Sequence, residues 1–178
     1  IYNNTIINTA RQYHSPIYFG LTFQDWDENA GRPANINPVI MNNIIVQEKN
    51  IHSPCISIRY SEAIGQMNGL KGNIQIDNNL YFQEGGTCYF EDGRLESELA
   101  NASLAQWRAH IAGDTRSMAL DPLLDTTFHL KKGSPCIDKG SHLIPGGLPS
   151  TDLDNHPRVV NQTVDLGAYE FMNINKNQ

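Results

Sequence analysis

One short pattern occurs three times in the first half of the chain. It reads Ile1-Tyr-Asn-Asn-Thr-Ile-Ile-Asn8, Ile40-Met-Asn-Asn-Ile-Ile-Val-Gln47 and Ile76-Asp-Asn-Asn-Leu-Tyr-Phe-Gln83. Each copy has an apolar residue, an Asn pair and an apolar run. The pairs stand at 3/4, 42/43 and 78/79, so they are 39 and 36 residues apart. A second strand-like segment keeps the phase, because Ile17-Tyr-Phe-Gly20 and Ile56-Ser-Ile-Arg59 are also 39 apart. Alternation puts Ile17/Phe19 and Ile56/Ile58 on one face and Tyr18, Ser57 and Arg59 on the other.

A period of this length excludes most folds. No amphipathic helix recurs within the unit, which argues against helical repeats. No Asn-Gly or Gly-Gly hairpin signal recurs in phase, which argues against propeller blades. One coil of a parallel β-helix fits. Asn tolerates the left-handed turn at a corner, and Ile favours strands. The chain holds 19 Asn and 18 Ile, so both are abundant enough for many short strands joined by tight turns. Stacked Asn side chains then form a ladder from coil to coil. The expected fold is all-β: a parallel β-helix of about three coils over 1–94, with a C-terminal capping segment of the same domain over 95–178. The polar stretches Arg11–Pro16 and Gln24–Asn37 are expected to project as loops.

From Leu95 the period breaks. Leu95, Leu99, Leu104, Trp107 and Ile111 fall mostly at helical spacings. Ser103 and Gln106 match a capping box, and Gly113 suits the helix end. This predicts one short helix near 103–112. Short strands are expected at Thr127–Leu130, Arg158–Val160 and Val164–Phe171, and a frayed terminus at Asn173–Gln178. An open strand layer invites edge pairing, and this segment has the makeup of a cover for one end. Ile1 falls within a repeat, so further coils or another surface are expected to meet the first one.

The formal net charge of −6 argues against a nucleic-acid partner. No apolar run reaches the length of a membrane span. Three cysteines without a CxxC pair are neither a disulfide scaffold nor a zinc ribbon. Cys55 and Cys88 are equally compatible with one bridge or with buried thiols. No G-x-S-x-G, P-loop or dinucleotide fingerprint is present.

Two C-terminal stretches carry a resemblance. Gly133-Ser-Pro-Cys-Ile-Asp138 and Thr151-Asp-Leu-Asp-Asn-His-Pro-Arg158, followed by Val164-Asp-Leu-Gly-Ala-Tyr-Glu-Phe171, resemble the ends of many secreted bacterial right-handed parallel β-helix proteins. Such ends read S-P-A-I-D-x-G, D-x-D-G-N-P-R and V-D-I-G-A-Y-E. Here Cys136 replaces Ala, and Asn155-His156 replaces Gly-Asn, with Asn155 able to hold the left-handed turn. The coils are similar, more loosely, to those of the alginate lyase and chondroitinase B type of polysaccharide lyase. That resemblance implies a secreted or cell-surface protein acting on a uronic-acid polymer by β-elimination, with calcium as a possible cofactor. The family's catalytic motifs find no counterpart here, so the chemistry is expected upstream of this chain. The alternative is a non-catalytic glycan-binding or adhesion module of a cell surface.

Among the residues, Arg59, Arg32, Tyr18, His14 and Trp26 are the candidates for contact with a polysaccharide, and Lys71 lies beside a repeated strand. A guanidinium pairs bidentately with a sugar carboxylate, and an aromatic ring stacks on a sugar face. The plainer reading of Arg59 is a surface Arg in an ion pair with Glu62 or a neighbour. Asp152 and Asp154 offer hard oxygen ligands for a metal such as calcium, or else side chains that hold a turn.

Overall fold

A computed structural model describes residues 1–9, 15–20, 35–61, 67–95, 97–160 and 162–172. In chain order the strands are β1 (Thr5–Ile7), β2 (Ile17–Phe19), β3 (Asn35–Ile36), β4 (Val39–Met41), β5 (Ile44–Gln47), β6 (Ile56–Ile58) and β7 (Tyr60–Ser61). They continue as β8 (Met67–Asn68), β9 (Leu70–Lys71), β10 (Gln75–Asp77), β11 (Leu80–Gln83), β12 (Phe90–Asp92) and β13 (Leu99–Ala102), before one helix, α1 (Leu104–Ile111).

Strands of successive repeats pair in parallel and in register. β1, β5 and β11 form one sheet, with Ile6 opposite Ile45 and Ile45 opposite Tyr81. β2, β6 and β12 form a second, with Ile17, Ile56 and Phe90 in line. β4 pairs with β10, and β3 with β9. The only antiparallel strand pairs among the described residues are β7 with β8 and β12 with β13.

The Asn pairs divide their work. The first of each pair, Asn3, Asn42 and Asn78, is left-handed, with φ of 54°, 58° and 53°. Each makes the corner between two strands, where Asn is tolerated. The second forms the ladder. Asn4 donates from Nδ2 to Asn43 Oδ1 at 3.1 Å, and Asn43 donates from Nδ2 to Asn79 Oδ1 at 2.9 Å. Their main-chain N–H groups donate to the same oxygens. Ser117 takes the next place, accepting from the Asn79 N–H at 2.7 Å. Its hydroxyl donates to Asp114, so the ladder ends there.

Strand alternation splits the apolar residues between two cores. Ile45 and Tyr81 face inward, with Ile17, Phe19, Ile40, Ile56, Ile58, Ile76 and Phe90. Cys55 and Cys88 lie in this core and are bridged, which joins adjacent repeats. Closing a loop across a separation of 33 residues stabilises the fold by about 4 kcal/mol. Ile44, Val46, Leu80 and Phe82 face the other way. They are covered by Leu130, Cys136, Leu166 and Phe171 of the C-terminal segment.

That segment does two things. Residues 97–118 cover one end of the stack: β13 pairs with β12, Trp107 stacks on Phe90 at 5.3 Å, and Met118 bridges to Leu80. The remainder runs back along the outer face of the β1–β5–β11 sheet as far as Thr5, whose Oγ1 accepts from the Ala168 N–H. Gly167 sits so close that a Cβ there would lie 2.7 Å from both Ile44 Cδ1 and Thr5 Oγ1.

Several local expectations are corrected. The capping box of Ser103 and Gln106 is present, but Ala112, at φ 50°, takes the left-handed position in place of Gly113. Leu99 belongs to β13 and Leu95 is exposed, so the apparent helical stripe begins only at Leu104. Thr127–Leu130, Arg158–Val160 and Val164–Phe171 are not strands. The first two carry only isolated bridges, Leu124 with Leu130 and Val160 with Thr163, and the third carries none. Ser57 is buried, although alternation places it on the outward row. Asn173–Gln178 lies outside the described residues. No described helix is long and apolar enough to cross a membrane.

Candidate functional site

The outward row of the β2–β6–β12 sheet begins with Tyr18, passes through Ser57 and ends with Glu91. Arg59 follows β6 directly. Its main chain is tied on both sides, with its N–H on Phe19 O at 3.0 Å and its carbonyl taking Gly69 N–H at 2.6 Å. Gly69 is required at that approach, because a Cβ would lie 2.3 Å from Phe19 O. The Arg59 backbone is therefore rigid while its side chain is exposed. Among the described residues its guanidinium makes no hydrogen bond or ion pair; Glu62 lies outside them.

Arg59 borders a cleft of about 240 Å³ with Ser57, Tyr60, Glu91, Asp92 and Glu98. Asp92 forms its rigid wall. The fully buried carboxylate accepts from Arg94 Nε at 2.9 Å and meets His110 Nε2 at 2.8 Å, which pins α1 to β12. A buried charge is tolerated only when it is paired in this way. What remains open to a ligand is one guanidinium, two carboxylates and a phenol. The guanidinium suits one carboxylate of a ligand, and the other groups suit hydroxyls.

The other predicted residues fall elsewhere. Tyr18 is on the same row, one repeat away, whereas Lys71 is on β9 in a different sheet. His14, Trp26 and Arg32 lie outside the described residues. Asp152 holds a turn: its carboxylate accepts main-chain N–H groups of Asp154, His156 and Glu170. Burial works to raise its pKa, but these donors prevail and hold it below the usual value. Asn155, at φ 66°, takes the left-handed position in that turn. Asp154 Oδ2 meets His129 Nε2 at 2.8 Å. No group of three or more His, Cys, Asp or Glu side chains is gathered as a metal site among the described residues. Cys136 is buried in the core between the sheet and the C-terminal segment, and that burial pushes its thiol up to about 12.

Sequence reading overlooked Tyr60, Glu91, Asp92, Arg94 and His110. A signal existed for two of them, Glu91 and Asp92. Phe90-Glu-Asp92 continues the series of Ile17 and Ile56, 34 residues after the latter. The charged residue in the third, inward place hid it. A second cleft, of about 700 Å³, lies beside β1 and is bordered by Asn4, Asn8, Glu48, Phe128, Leu153 and Tyr169. Compared with protein-family models, curated proteins and solved structures, the chain gives no match.

Proposed function

We propose that this chain is part of a secreted polysaccharide-acting protein built as a right-handed parallel β-helix, and that it contributes glycan contacts through Arg59. The observation that carries this reading is a guanidinium that is exposed and, among the described residues, unengaged, on a hydrogen-bonded strand end beside Tyr60, Glu91 and Glu98 in a cleft. Tyr18 extends the same row across another repeat. Parallel pairing in register and the Asn ladder support the β-helix architecture. The Cys55–Cys88 bridge supports an oxidising, extracellular setting.

The resemblance to alginate lyase and chondroitinase B type coils makes the polymer a uronic acid and the reaction a β-elimination. Its chemistry belongs to coils that are not in this chain. Oligosaccharides of alginate, pectate and dermatan sulfate should be titrated into the protein and followed by calorimetry. One of them is expected to bind, and Arg59→Ala to weaken it about tenfold or more, the scale of a charged hydrogen bond. A longer form of the protein is expected to release unsaturated sugar ends, read by ultraviolet absorbance. Binding without such ends, even by the longer form, would favour the adhesion-module reading. Binding of none of the three polymers would sink the proposal.

A further inference from the structure

The two ends of the Asn ladder differ. At the Ser117 end the ladder closes on a hydroxyl tied to Asp114, and β13 and α1 lie over the neighbouring strands. At the Asn4 end nothing comparable is present among the described residues. Asn4 and Asn43 donate from Nδ2 toward the Ser117 end, as does the Asn79 main-chain N–H, while Asn43 and Asn79 accept on Oδ1 from the opposite side; by the same polarity Asn4 Oδ1 faces away from Asn43, and no donor reaches it among the described residues. Among the described residues β1 pairs with β5 alone. In a parallel pair alternate residues point to one edge. Asn4 and Asn8 use the β5 edge, which leaves the N–H and C=O groups of Thr5 and Ile7 on the other. Beside that edge the cleft of about 700 Å³ exposes Phe128 and Leu153, at 51% and 67%. One repeat further on, the outward residues Ile44 and Val46 are covered by apolar residues of the same C-terminal segment.

We infer that the β1 edge is an interface for one more parallel strand of the same repeat. Its Asn, or an equivalent N–H donor, sits over Asn4 Oδ1, and its outward apolar residues pack on Phe128 and Leu153. The occupant is a further repeat of this type and not a second copy of this molecule. A second copy presents the end closed by Ser117 and α1. Two β1 edges meeting head to head would run antiparallel and would bring no donor onto Asn4 Oδ1. The inference rests on the layered architecture and not on the glycan reading, so either can fail alone.

The probe is a synthetic peptide with the sequence of Gln75–Gln83, which carries one copy of the repeat strand. Amide hydrogen exchange of the whole chain is measured with and without it. At saturation, exchange at Thr5 and Ile7 is expected to slow about tenfold, with β11 amides unchanged. The same peptide with Asn79→Leu is expected to protect less. In the chain, Ile7→Pro removes an edge N–H without touching the β5 pairing, and is expected to abolish the protection. Equal protection by a scrambled peptide, or none at Thr5 and Ile7, would overturn the inference. So would protection of β1 that appears without peptide as the chain dimerises on concentration.

Discussion

In strands β1, β5 and β11 main-chain N–H and C=O groups pair from one repeat to the next, strand against strand. Between residues 119 and 171 many of the same groups turn to side chains. Ser134 Oγ donates to Pro122 O, Asp165 accepts from the Asp138 and Phe171 N–H groups, and Arg158 donates to the Asp165 and Gly167 carbonyls. Both solutions satisfy a buried backbone. They differ in what they depend on. The repeats rely on neutral amides and aliphatic packing. The C-terminal segment relies on buried Asp, Glu and Arg, so its stability is tied to their ionisation.

The largest expected effect tests that dependence. Arg158 is almost wholly buried and faces Glu170 at 3.3 Å. Arg158→Leu removes the cation that faces the buried Glu170 and the donor to the Asp165 and Gly167 carbonyls, and is expected to cost about 4 kcal/mol, read by urea unfolding. A loss no larger than that of an average surface substitution would mean that packing alone holds the segment. In the repeats, Asn43→Ala removes the middle of the ladder. It leaves the Asn4 and Asn79 groups without their partner, and is expected to cost about 3 kcal/mol. That cost should be the same at every pH where the protein folds, since no ionising group is lost.

The third test is in the pH profile. Burial pushes Glu170 from its ordinary 4.5 up to about 8, with Asp165 adding to the shift and Arg158 opposing it. Burial also raises Asp165. A group whose pKa is raised on folding contributes stability in full below its unfolded value. That contribution is lost as pH rises through the folded one. Stability is therefore expected to fall between pH 4.5 and about 8, and Glu170→Gln to flatten the fall. An unchanged slope in that variant would assign the pH dependence to other groups.

The repeat was legible because its signals are local and periodic. Asn at a corner and aliphatics in alternation say where the chain turns and which face is inward. The helix was legible from Ser103 and Gln106 for the same reason. The candidate site was legible only in part. Arg59 and Tyr18 lie on a visible repeat, whereas Glu91 is one place from Asp92, whose buried charge breaks the apolar pattern. Asp92 is stable there only because Arg94 and His110 reach it, and His110 comes from a helix 18 residues away.

By itself the sequence determined the period, a left-handed corner at each Asn pair, the inward aliphatic faces and one capped helix. Each follows from the conformational preferences of a few neighbouring residues. Tertiary structure alone decided which Asn of each pair makes the ladder, that Ser117 ends it, that Cys55 meets Cys88, and that residues 119–171 cover the outer sheet face. Those outcomes depend on which groups meet across tens of residues. Such meetings are set by stacking and burial of the whole chain, and no local preference encodes them.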